Sequence, residues 1–141
     1  MVPQVQLPSW AEQMWLPLSH RSNLQLCTRL NPSMWRGDFN GDGRVDLALL
    51  VAYAGSKKEG IAFLLQGGKP LVVGAGIDFG NGGDDFSWMD ICYVEDRGTK
   101  HGNDKGQSVS QSDALVVAKE SSASALIYLR KGKLQWRQEG D

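Results

Sequence analysis

The chain reads as an α+β domain, mainly β: an antiparallel β-meander of about seven short strands with a short N-terminal helical segment ahead of them. Apolar residues beyond position 45 recur in strand-sized, alternating runs, and Gly-rich turns punctuate those runs. The clearest helix-start signal stands near the N-terminus, at residues 8–12.

Pro8-Ser9-Trp10-Ala11-Glu12 has the form of a capping box, in which the Ser9 hydroxyl accepts from the Glu12 backbone while the Glu12 side chain reaches back. Trp10, Met14 and Trp15 then share one side of a short helix that is expected to stop before Pro17. Those tryptophans read either as a partner-binding surface or as cover for the sheet, and burial statistics favour the cover. Residues 23–30 allow a second short helix or a strand.

From Val45 onward the pattern is β. Leu47, Leu49, Val51 and Tyr53 alternate with Ala48, Leu50 and Ala52, so that both faces are apolar, as in a central strand. Ile61 to Gln66 and Leu71 to Gly74 flank Gly67-Gly68-Lys69-Pro70, a hairpin turn by composition. Phe86 to Val94 and Asp113 to Lys119 are further strand candidates. Ala123 to Arg130 and Leu134 to Arg137 close the chain around Lys131-Gly132 as a hairpin.

The strongest chemical signal precedes the first long strand. In Asp38-Phe39-Asn40-Gly41-Asp42-Gly43-Arg44-Val45-Asp46, oxygen-bearing side chains fall at loop positions one, three, five and nine, with Gly43 at position six. Calcium takes six to eight oxygen ligands and is served by such alternation with a glycine at the sharp turn. The expected ligands are Asp38, Asn40, Asp42 and Asp46 through their side chains and Arg44 through its carbonyl. Position twelve holds Leu49 where a helical EF-hand requires Glu, so a complete EF-hand is ruled out and a further ligand must come from elsewhere. An ordinary acidic turn, with side chains bonded to their own backbone, is the competing reading.

The phrase from Gly37 to Ala48 resembles the calcium-loop signature of FG-GAP and VCBS-type repeats, found in secreted and surface β-proteins. The resemblance covers about a dozen residues and implies a loop between two strands whose ion ties down a turn rather than performing catalysis. Those loops usually occur in series, and a lone repeat cannot bury its own faces. A structural domain cut from such an array is a third reading, but only one copy stands in this chain, and the count of about seven strands argues for a self-contained domain that borrows the loop.

At 141 residues the chain has the length of one domain, 1–141. Hydrophobic residues make up 41% and charged residues 22%, an ordinary globular balance. A net charge of −1 and no basic stripe give no attraction toward nucleic acid. The apolar runs are too short for a membrane span, and Met1-Val2-Pro3-Gln4 does not open a signal peptide. The chain is therefore either intracellular or a mature form without its leader. The calcium loop favours the second, in the periplasm or outside the cell, because resting cytosolic calcium would not fill a weak site.

Cys27 and Cys92 match no zinc or thioredoxin spacing and read either as a disulfide over a long loop or as two buried thiols. The acidic, Gly-rich segment 76–85 breaks the alternate-carboxylate spacing and is no second calcium loop. The polar segment 95–112 is long enough to be functional or mobile.

Catalytic motifs are lacking. His20 and His101 carry no metal or nucleophile signature, and Ser121, Ser122 and Ser124 lack the nucleophile elbow. Asp84, Asp85 and Asp90 could supply a paired acid and base for a small hydrolase. The reading preferred over it is a non-catalytic, calcium-stabilised module of the periplasm or cell surface. Such a module would bind a protein or glycan partner through its long loops, in the manner of an inhibitor or immunity-type protein.

Overall fold

The structure, a computed structural model, describes residues 6–96 and 112–140. It is mainly β: one helix, α1 (Ser9–Ser22), precedes β1 (Leu24–Leu26), β2 (Met34–Gly37), β3 (Asp46–Tyr53), β4 (Glu59–Leu64) and β5 (Leu71–Gly74). A 3-10 turn at Gly80–Gly82 leads into β6 (Ile91–Glu95), β7 (Ala114–Ala118), β8 (Ser124–Arg130) and β9 (Lys133–Gly140). The nine strands form two antiparallel sheets, with β1 to β5 in one and β6-β7-β8-β9 in order in the other.

Strand β3 organises the first sheet. One edge pairs with β4, while the other is shared end to end by β2, against Asp46 to Leu49, and β1, against Val51 to Tyr53. These two short strands account for the difference from the expected seven. The Leu24–Leu26 segment is a strand rather than a helix, and Met34–Gly37 is too short to show periodicity in sequence.

The double-sided apolar pattern of β3 has a direct cause. Ala48 and Leu50 point into the core between the sheets with Ile61, Phe63, Leu115, Val117 and Ile127. Leu47, Leu49 and Val51 point the other way, against α1, where Ala11, Trp15 and Leu18 are buried. The layers are therefore helix, sheet and sheet. Trp10 and Met14 pack at the margin of the helix contact, so these side chains cover the sheet.

The helix departs from expectation at both ends. Pro8, not Ser9, is the N-cap, and no side chain caps the helix; the Pro8 carbonyl accepts from the Ala11 and Glu12 amides instead. Ser9 already lies inside the first turn, one residue too late to cap. The helix also runs through Pro17 to Ser22. Pro17 and Gln13, whose carbonyl loses its partner, are both exposed, and the buried stripe Ala11, Trp15, Leu18 continues past the proline. Asn23, in the left-handed region at φ 55°, ends the helix by donating to the Ser19 carbonyl.

The expected strand from Phe86 to Val94 is shorter, beginning only at Ile91. Phe86 to Asp90 is instead the crossing between the sheets, with Phe86 and Met89 fully buried. Arg29 fastens this crossing: it pairs with Glu59 at 2.8 Å and donates to the Met89 carbonyl at 2.8 Å. Asp85 fixes the same corner, accepting from the Glu59 and Ser87 amides at 3.0 Å each.

Cys27 and Cys92 are free thiols, both packed against the core between the sheets, and burial pushes the Cys92 thiol pKa up. Residue His101 and most of the 95–112 segment lie outside the described residues.

Candidate metal centre

The loop between β2 and β3 is shaped by its own carboxylates. Gly37 ends β2 opposite Asp46, which begins β3, so the chain must reverse between two paired residues. Asp38 organises the reversal: its Oδ1 accepts from the amides of Gly41 at 2.9 Å and Asp42 at 3.1 Å, and its Oδ2 accepts from Gly43 at 2.9 Å. The third bond requires the chain to curl sharply, and Gly43 supplies the turn at φ 84°.

Asp46 closes the loop from the other side. Its side chain is fully buried, with Oδ2 accepting from Phe39 N at 2.9 Å and Oδ1 from Gln66 N at 2.8 Å. One carboxylate thus ties the loop to both the start of β3 and the end of β4. Burial raises the Asp46 pKa, opposed by the amides of Gln66, Phe39 and Asn40 and reinforced by the charge of Asp42.

Asp38, Asp42 and Asp46 bring carboxylate oxygens within 4.8 Å of one another, a cluster that could hold a metal ion. Asp38 and Asp46 are buried and Asp42 is exposed, which leaves the group open to solvent on one side. The donor set is all oxygen and fits a hard cation, whose charge would offset the mutual repulsion of three carboxylates. Among the described residues no other group of three or more His, Cys, Asp or Glu side chains converges in this way.

The remaining sequence-predicted ligands lie beside the cluster. Asn40 Oδ1 accepts from Asp42 N at 3.3 Å, and Asp42 Oδ1 accepts from Arg44 N at 2.9 Å. The Arg44 guanidinium lies against Gly67 in the β4–β5 turn, so its side chain is directed out of the loop. Leu49, at loop position twelve, is fully buried against the helix layer.

Sequence reasoning missed the support from the second sheet. Asp113 Oδ2 accepts from Asp38 N at 2.8 Å, Asp113 N donates to the Asp38 carbonyl at 2.9 Å, and Ser112 Oγ donates to the Phe39 carbonyl at 2.8 Å. These two residues precede β7, some 70 positions from the loop, and no local spacing marks them.

Asp84, Asp85 and Asp90 each hold a different structural partner. Asp84 pairs with Lys58 at 2.6 Å, Asp85 holds the Glu59 and Ser87 amides, and Asp90 accepts from Glu120 N at 2.7 Å. Glu59 pairs with Ala52, six residues along β3 from Asp46, so this acidic loop sits about 20 Å from the cluster. The cluster therefore takes its carboxylates from the Asp38–Asp46 loop, not from this segment.

Among the described residues no helix is long and apolar enough to cross a membrane. No protein-family model, no curated protein and no solved structure matches the chain.

Proposed function

We propose that this chain is a non-catalytic, calcium-stabilised binding module of the periplasm or cell surface, of the inhibitor or immunity type, engaging a protein or glycan partner. The observation that carries this reading is the convergence of Asp38, Asp42 and Asp46 at the junction of the sheets. Asp38, Asp42 and Asp46, with Asn40 and the Arg44 carbonyl, would hold the ion. When bound, the cation supplies charge neutralisation at a buried carboxylate and cross-links the start of β3 to the preceding turn. Its contribution is to folding, because a ligand that binds only the folded state stabilises it.

Calcium is preferred to magnesium because an irregular set of carboxylates and a carbonyl suits its larger, adaptable shell, whereas magnesium demands near-octahedral geometry. The net charge of −1 supports a partner other than nucleic acid. Isothermal titration of the purified chain with calcium tests the reading: one ion per chain is expected, and binding that survives Asp42→Ala unchanged would count against the loop.

A further inference from the structure

We propose that the cleft walled by the contacting indoles of Trp88 and Trp136 is a carbohydrate subsite that seats one pyranose ring of a glycan. The cleft lies at an open end of the sandwich, between the Gly80–Gly82 turn, the β7–β8 turn and the start of β8. Its volume is about 300 Å³, at the small end of the range of ligand pockets. Val117 and Ala125, both fully buried, form its floor.

The two indoles form a corner rather than a stack, with centroids 6.3 Å apart and planes at 74°. Both are half-buried. Their polar edges are already committed: Trp88 Nε1 donates to the Gly82 carbonyl at 3.0 Å and Trp136 Nε1 to Gln138 Oε1 at 3.1 Å. The indoles therefore offer carbon surface to the cleft.

The corner is also rigid before any ligand arrives. Phe79 and Phe86 meet Trp136 edge-on at 5.9 and 6.2 Å. The Gly-rich loop lies along the length of the same indole, against Cγ at Gly80 and against Cζ3 and Cη2 at Gly82. A Cβ at Gly82 would stand 2.8 Å from the ring, and Gly80 adopts φ 54°. Those glycines let the backbone hold the indole in place, which lowers the ordering cost of binding.

The rim is polar. Asn81, Lys119 and Ser122 are exposed, and among the described residues the Asn81 Oδ1, the Lys119 ammonium and the Ser122 hydroxyl have no partner. Asn81 Nδ2 donates to Gln138 Oε1 at 3.1 Å, which orients the Asn81 amide at the mouth. A pyranose has the matching character: a C–H face that packs on an aromatic surface and a rim of hydroxyls that exchange hydrogen bonds with amide, hydroxyl and ammonium groups. A purely apolar ligand would leave the rim unused.

This inference deepens the binding-module reading, and rests on it for its biological setting, but no residue of the Asp38–Asp46 loop lines the cleft. The two can therefore fail separately. The test is titration of ¹⁵N-labelled protein in calcium with cellotetraose, chitotetraose and tetragalacturonate at millimolar concentration, following the five tryptophan indole signals. At least one sugar is expected to move the Trp88 and Trp136 signals and leave Trp10 and Trp15 in place. Asn81→Ala and Lys119→Ala, on exposed side chains, should retain the fold and weaken that sugar by about fivefold each, the worth of one hydrogen bond. No shift, shifts confined to Trp10 or Trp15, or a response unchanged in both variants would overturn the subsite. A calcium-induced rise in stability without any sugar response would reject the cleft and leave the ion-stabilised module standing.

Discussion

Asp38 and Asp113 hold each other twice: the Asp38 amide donates to the Asp113 carboxylate at 2.8 Å, and the Asp113 amide donates to the Asp38 carbonyl at 2.9 Å. This exchange joins the acidic loop of the first sheet to the start of β7 in the second. Asp113→Ala should leave the Asp38 amide without its acceptor and cost about 1–3 kcal/mol, with Asp113→Asn costing less because it keeps one oxygen. Urea unfolding of the three proteins measures the difference. Equal midpoints would mean that the Asp113 carboxylate adds nothing to the joint.

The loop carboxylates should divide into scaffold and ligand. Asp38→Asn replaces one of two oxygens that receive the Gly41, Asp42 and Gly43 amides, and should cost about 1–3 kcal/mol even in chelator. Asp42 is exposed and accepts only the Arg44 amide among the hydrogen bonds within the loop, so Asp42→Ala should cost less than about 1 kcal/mol in chelator. Denaturant unfolding without calcium separates the two. A loss at Asp42 as large as that at Asp38 would contradict the division.

Asp85 gives a pH signature. The Glu59 amide holds its carboxyl below the usual carboxylate range, with Ser87 adding to the effect and burial opposing it. A carboxylate whose folded pKa is depressed contributes stability that is complete above the unfolded value of about 3.9 and is lost as pH falls through the folded value. Asp85→Asn keeps an oxygen acceptor but cannot titrate. Its stability should therefore fall less steeply than the parent's below about pH 4. Parallel acid limbs, followed by circular dichroism in urea at fixed pH, would show that Asp85 does not contribute.

The glycine loop over Trp136 should be unusually sensitive at one position. Gly80→Ala combines a left-handed backbone with a Cβ driven into the indole, whereas Gly83, at φ 72°, has open space around its Cβ position. Gly83, at φ 72° and ψ −157°, stands in a region that only glycine adopts freely, so Gly83→Ala should cost about 1–3 kcal/mol from the backbone alone, and Gly80→Ala should cost more because its Cβ also meets the ring. Thermal midpoints of the two variants, and the near-ultraviolet tryptophan signal, report this. Equal losses would show that the loop does not clamp the ring.

Much of the fold was legible in the sequence where burial and periodicity agree. Strand β3 announced itself because it is covered on both faces, and the β4–β5 and β8–β9 hairpins because turn chemistry separates two apolar runs. The misses occur where tertiary contacts override local signals. Pro17 does not end the helix because the stripe from Ala11 to Leu18 is held by the sheet, and Phe86 resembles strand sequence while serving as a buried crossing. At the site, the spacing of Asp38, Asp42 and Asp46 encodes a local loop and could be read directly. Asp113 and Ser112 reach that loop only through the packing of the two sheets, which no linear spacing records.

On the proposed reading, the Asp38–Asp46 loop is an ion site coupled to folding. Thermal unfolding in chelator, in millimolar calcium and in millimolar magnesium, for the parent and Asp42→Ala, tests it most directly. Calcium at a hundredfold over its dissociation constant should add about 2.7 kcal/mol to the parent, a rise of about 5–10 °C in midpoint. Magnesium should add less, and Asp42→Ala should lose most of the calcium response. Identical midpoints in chelator and calcium would leave the loop an acidic turn held by its own amides, and an undiminished calcium response in the variant would place the ion elsewhere.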